Sequence, residues 1–198
     1  MSPSHLFEPT YQAIKLRLMT GVWRCGARLE PGRMSAELGV GVSPIRDSLN
    51  RLAGERLIEA QSGEGFHVPL IHVQTLRELL DLNQVLLLTA MVRSKPSGLP
   101  PIASDGDHAT RVARLFHHVA RGSGNMELLT QVDNLSDRLN TLRRIEPSVL
   151  PQVHGDLDAL EAKLAIAAPA RDIRTLIRHF HKQRRRMADR LARSLPTI

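Results

Sequence analysis

The chain holds a single cysteine, Cys25, in 198 residues. A lone thiol excludes an internal disulfide framework and fits a reducing compartment, so Cys25 is expected to be a packing residue. Aromatic side chains make up only 3% of the sequence, so a core must be assembled from Leu, Ile, Val, Ala and Met. No apolar run reaches the ~20 residues needed to span a bilayer, and residues 84–92 fall well short. The opening MSPSHLFEPT lacks the charged-then-apolar layout of a secretory signal, and a cytoplasmic location is the expectation. Also missing are a Ser/His/Asp or Cys/His arrangement, a Gly-rich phosphate loop and a complete metal-ligand set, which argues against an enzyme.

What is present is a moderately apolar, basic chain: 42% hydrophobic residues and a net charge of +7. The excess is confined to the end. Residues 1–72 hold eight Lys/Arg against seven Asp/Glu, whereas residues 171–198 hold nine against two. Net charge therefore says nothing for the N-terminal part. The basic end, which includes Lys182, Arg184, Arg185, Arg186, Arg190 and Arg193, reads as a solvated helix face with its stems lying along apolar surface. Contact with a DNA backbone or another anionic partner is the alternative.

Residues 33–68 organise the rest. Met34 and Leu38 belong to a short helix, and Gly39 and Gly41 around Val40 suit a sharp turn. Ser43-Pro44 reads as a helix start, Ser capping and Pro at the first position. Ile45, Leu49, Leu52 and Ala53 then recur on one face, with Arg46, Asp47, Asn50 and Arg51 opposite, side chains able to reach base edges and phosphates. After Leu57-Ile58, Gly63 and Gly65 sit among β-compatible residues, as in a two-stranded wing. An ordinary helical hairpin with a wet polar face is the alternative. Before this stretch, residues 1–10 read as loose and 11–19 as a helix, with Trp23 a core or interdomain anchor.

The stretch resembles the winged helix of GntR-family transcription regulators. The match keeps its order through Ile14, Gly21, Gly26-Ala27-Arg28-Leu29, Leu38-Gly39-Val40, Ser43-Pro44-Ile45-Arg46-Asp47-Ser48-Leu49, Arg51-Leu52, Arg56-Leu57-Ile58 and Gly65-Phe66-His67-Val68. Gly41 and Val42 stand where the family usually has Ser-Arg, and Cys25 stands at a usual Pro. The resemblance implies binding of a double-stranded, pseudo-palindromic DNA operator by a homodimer. Arg33, Ser43, Pro44, Arg46, Asn50, Arg51, Gly65 and His67 are the implied DNA-contacting residues.

Beyond a link at residues 69–72, the pattern is helical throughout: 75–93, then an exposed loop to Gly106, then 108–122, 126–145, 150–168 and 171–194. The helix 75–93 is apolar on more than one stripe, as in a helix that is central or shared with a second subunit. The expected architecture is mainly α, with a winged helix-turn-helix domain and small hairpin wing over 1–70 and an all-α bundle over 71–198. The bundle resembles the FCD effector domain of the FadR subfamily, through Leu76-Arg77-Glu78-Leu79-Leu80-Asp81-Leu82, Phe116-His117 before Gly124-Asn125-Met126-Glu127-Leu128, and Arg171-Asp172 before His179 and His181. That resemblance implies a repressor tuned by a small-molecule effector, with Asn83, His117, His179 and His181 facing the ligand.

Many relatives hold a divalent metal, zinc or nickel, through one Asp and three His. Here His117 and His181 (or His179) match, Ala113 replaces the Asp, and the middle His has no counterpart. An incomplete set of His117 and His181 does not close a coordination shell, and imidazoles hydrogen-bonded in a polar interior are the favoured expectation. The implied effector is an organic acid or a more apolar metabolite; Asn83, standing where relatives tend to carry a carboxylate-gripping Arg, points to the less acidic or more apolar side. A constitutive DNA-binding protein with a decayed pocket, or a metal-dependent enzyme of the bundle, are the alternatives.

Overall fold

A computed structural model describes residues 4–93 and 105–198; most of the loop expected before Gly106 lies outside these. The chain divides into two units, Met1–Ile71 with Pro196–Ile198, and His72–Leu195. The architecture is the expected one, a helix-turn-helix with a small sheet and an all-helical bundle.

The first unit contains α1 (Ser4–Met19), β1 (Arg28–Leu29), α2 (Pro31–Leu38), α3 (Val42–Gly54), β2 (Glu59–Gln61) and β3 (Gly65–His67). Tyr11, Ile14 and Leu18 of α1 close over Met34 of α2 and over Ile45, Leu49 and Leu52 of α3. The expectation of a loose N-terminal decapeptide is wrong: α1 starts at Ser4 and carries Pro9 inside it. Proline removes one helical hydrogen bond, but Thr10 and Tyr11 are buried directly after it, and that burial holds the turn. Gly39 ends α2 in the left-handed region at φ 66°, where glycine carries no Cβ penalty.

A second correction concerns α3. Gly41 is its N-cap and Ser43 makes no capping bond, so Ser43 and Pro44 are the second and third helical residues. Proline fits there because the first-turn N–H groups have no helical partner to lose. The wing is also larger than a hairpin. The sheet has three antiparallel strands in the order β1-β3-β2, with Leu29 opposite Phe66 and Ala60 opposite the same residue. Cys25 is buried and forms a short parallel bridge with Thr197.

The second unit comprises α4 (Val73–Arg93), α5 (His108–Arg121), α6 (Met126–Arg138), α7 (Asn140–Val149), α8 (Val153–Ala165), α9 (Ala170–Arg186) and α10 (Ala188–Arg193). The core lies among Leu87, Met91, Val112, Leu115, Phe116, Val132, Leu157, Ile177 and Phe180. Two helices expected as continuous are broken, 126–145 at Leu139 and 171–194 at Met187. Burial continues across the first break at Leu135, Leu139 and Leu142, so apolar spacing carries no trace of it. On α4, Leu82, Val85 and Val92 are exposed. Among the described residues, no helix is long and apolar enough to cross a membrane.

Candidate nucleic-acid interface

Helix α3 is amphipathic in a way that fixes its orientation within the first unit. Ile45, Leu49 and Leu52 are fully buried and Ser48 donates to the Pro44 carbonyl at 2.7 Å. Three- and four-residue spacing puts Ser43, Arg46, Asp47 and Asn50 on the other side, and all four are exposed. Arg46 makes no hydrogen bond or ion pair among the described residues. Its guanidinium is free for a phosphate or the acceptor edge of a guanine.

Arg51 differs from its neighbours. Its Nη1 donates to Glu8 at 2.8 Å and its Nε to Glu55 at 3.1 Å. The guanidinium carbon lies 3.8 Å from the centroid of the Tyr11 ring, and the Tyr11 hydroxyl donates to Glu55. Burial and then the Glu55 carboxylate push the Tyr11 phenol above its usual range. Arg51 thus ties α3 to α1 through its Nε and one Nη1 donor, while the side chain stays 42% exposed. Arg33 is exposed on α2 and pairs with Glu37 one turn on. Pro44 is half-buried. In the wing, exposed Gly65 has φ +88°, and half-buried His67 leaves Nδ1 without a partner.

The bundle holds a second group of polar side chains, in its interior. Arg184, with none of its side chain exposed, donates through Nε and Nη2 to Glu146 Oε2 at 3.1 and 2.9 Å, and through Nη1 to Asp156 and the Phe180 carbonyl. His108 Nε2 lies 2.8 Å from the same Glu146 oxygen. Burial alone would raise the Glu146 carboxyl; Arg184 and His108 overcome this and hold it below its ordinary range. Arg143, also buried, has its guanidinium carbon 5.1 Å from the Phe116 centroid and leaves Nη1 unpartnered. Desolvation lowers it to about 10, so it remains a cation at neutral pH.

The residues expected to face an effector or metal are not brought to one place. Asn83 and His181 meet in the interior: His181 Nδ1 donates to the Ile177 carbonyl at 2.8 Å, and Nε2 lies 3.0 Å from the Asn83 amide. With Nδ1 protonated, Nε2 is an acceptor, so the Asn83 NH2 must be the end that faces it. That turn of the amide leaves an oxygen, not the donor now without a partner, as the unsatisfied atom. Both His181 nitrogens are hydrogen-bonded within the bundle. His117 instead pairs with Asp133 at 3.0 Å, and exposed His179 lies 3.6 Å from Asp156. Among the described residues no group of three or more His, Cys, Asp or Glu is placed to hold a metal.

Sequence reasoning overlooked Glu146 and placed Arg184 on a solvated helix face; that expectation is wrong, because Arg184 is completely buried and paired with Glu146. The signal was available: Arg184 follows Ile177 and Phe180 at helical spacing, and Glu146 sits between Leu142 and Val149. A charge at a core position of an apolar stripe marks a buried pair.

Residues 6–68 match the family model described as bacterial regulatory proteins, gntR family. An uncharacterized HTH-type transcriptional regulator BphR from Paraburkholderia xenovorans (strain LB400) is 24% identical over 115 residues, 58% of this chain. The match spans 44% of that relative's length. Two solved structures share the fold. E. coli McbR/YncC superposes with a TM-score of 0.70 at 17% identity, over 93% of this chain and 97% of that one. A GntR structure from Rhodococcus sp. RHA1 gives 0.79 at 14% identity, over 93% and 97%.

Arg51→Ala removes the stacking on Tyr11 and is expected to lower stability by about 1 kcal/mol, while Arg46→Ala leaves it unchanged; urea unfolding separates the two. Burial holds His181 at about 3 against an ordinary 6.5. Between those values the unfolded chain binds the extra proton, so folding weakens as pH falls through the window. The expected contribution approaches ~1.4 kcal/mol per pH unit, and His181→Gln should show a shallower loss between pH 7 and 5.

Proposed function

We propose that this chain, with its gntR-family helix-turn-helix at residues 6–68, is a DNA-binding transcriptional regulator that acts in the cytoplasm as a homodimer. The observation that carries the reading is Arg46, exposed and unpaired on the outer face of a helix whose inner face is sealed. A helix presented this way enters a major groove. Ser43, Asn50, Arg46 and the wing residues Gly65 and His67 supply the contacts, with Arg33 and Pro44 at their edge; Arg51 acts by holding α3 against α1. Two heads related by a two-fold axis read two half-sites, which makes the operator pseudo-palindromic. The exposed Leu82, Val85 and Val92 of α4 support a second copy as the partner.

The bundle is the sensor in this reading, and the protein a repressor whose operator affinity depends on what the bundle holds. Arg143, a buried cation with an unpartnered Nη1, favours a small anion such as an organic acid as the effector. A ligand that binds one arrangement of the dimer better than the other shifts operator affinity by that difference in binding energy. The reading requires no metal.

The test is operator selection from genomic DNA followed by titration of the selected duplex. Arg46→Ala should weaken operator binding by about 1–3 kcal/mol, roughly tenfold or more. Unchanged affinity for both Arg46→Ala and Asn50→Ala would remove the recognition face assigned to α3.

A further inference from the structure

The cations of α9 and α10 are sorted by the fold. On the sides turned to the bundle, Arg184 pairs with Glu146 and Asp156 and Arg185 with Asp81 and Gln84, while half-buried Arg174 leaves its Nε without a partner. On the outer side they are not. Arg178, Lys182 and Arg186 follow one another at four-residue spacing on α9, and Arg190 and Arg193 follow on α10; all five are exposed. None of the five makes an ion pair among the described residues. Elsewhere, Arg17, Arg77, Arg114 and Arg144 each find a carboxylate, and exposed Arg24, Arg28, Arg46, Arg56 and Arg121 form no ion pair among the described residues but are scattered along the chain; α9 and α10 differ in carrying five such cations in succession. Asp189, set among the five, turns its carboxylate to Arg77 instead, at 2.8 Å.

Like charges four residues apart destabilise a helix. This one is held by Ile173, Ile177, Phe180 and Leu191, all buried, so the repulsion is tolerated but not relieved within the chain. The chemistry that relieves it is a regular row of negative charges. Successive four-residue steps advance about 6 Å along a helix, close to the rise of two phosphates of one strand along the duplex axis, about 3.4 Å each. The protein's whole charge excess lies in this segment, where a first unit of balanced charge has no long-range pull on DNA.

We propose that the outer face of α9 and α10 is a sequence-independent docking surface for the sugar-phosphate backbone of duplex DNA. The choice of DNA among polyanions rests on the function proposed above. The face provides affinity and salt dependence that do not depend on base sequence.

The experiment uses the full chain and two 30-base-pair duplexes, one the selected operator and one of random sequence, titrated across a range of salt. The variant replaces Arg178, Lys182, Arg186, Arg190 and Arg193 by Gln; a second replaces only Arg178 and Lys182, and a third changes the four arginines to Lys. The five-fold variant should bind the random duplex at least tenfold more weakly at low salt. Its slope of log K against log salt should shrink by about 4–5, near 0.9 for each phosphate that is no longer neutralised. The two-residue variant should show about half that change, the lysine variant should change little, and the ratio of operator to random binding should persist in all. An unchanged slope in the Gln variants overturns the docking surface and leaves the α3 reading standing. Loss of discrimination in Arg46→Ala with the slope intact separates the two faces from the other side. Failure of the wild type to bind either duplex, with charge-dependent binding to vesicles of anionic phospholipid, overturns both.

Discussion

The burial of Ile45, Leu49 and Leu52 against α1 is the constraint from which the rest of the first unit follows. These three side chains are entirely removed from solvent, and a helix that turns every 3.6 residues cannot bury them without sending Arg46 and Asn50 outward. Nothing further is needed to orient that outward face. The Arg51–Tyr11–Glu55–Glu8 arrangement then fixes α3 lengthwise against α1, using a charge whose spacing alone would place it on the same outward face.

The bundle follows a different logic. Its core is short of aromatics, and the two it places centrally, Phe116 and Phe180, are used as platforms: Arg143 over one, Arg184 over the other, and His181 stacked on Phe116. Buried charges need partners to be tolerable, and Glu146 gathers Arg184 and His108 on a single oxygen. Arg143 has no such carboxylate. In the reading proposed here that buried cation, whose Nη1 is one of several buried polar atoms of the bundle without a partner, is the feature that suits a sensor.

The helix-turn-helix was legible because its signals are local: Gly39 at a left-handed turn, Pro44 in a first turn, and apolar spacing through Leu52. The extra turns at the start of α1 were not, because Pro9 reads as a helix breaker until Thr10 and Tyr11 are seen to be buried. The breaks at Leu139 and Met187 leave apolar periodicity intact, so periodicity cannot report them. The third strand of the wing, Arg28–Leu29, is too short to alternate. Arg51 and Arg46 look equivalent in sequence, and only the carboxylates that α1 and the end of α3 bring near Arg51 separate them. His117 and His181 were assigned to one ligand set by resemblance to relatives; the structure pairs His117 with Asp133 and His181 with Asn83 and the Ile177 carbonyl, partners that sequence does not announce.

The central claim is that the outer face of α3 meets duplex DNA. A photo-crosslinking amino acid at position 50, in place of the exposed Asn50, reports directly what lies against that face. The account expects light-dependent crosslinks to bases within each half-site of the selected operator, suppressed when Arg46 is also changed to Ala. Crosslinks formed only between two copies of the chain, with the operator present and unlabelled, would contradict it.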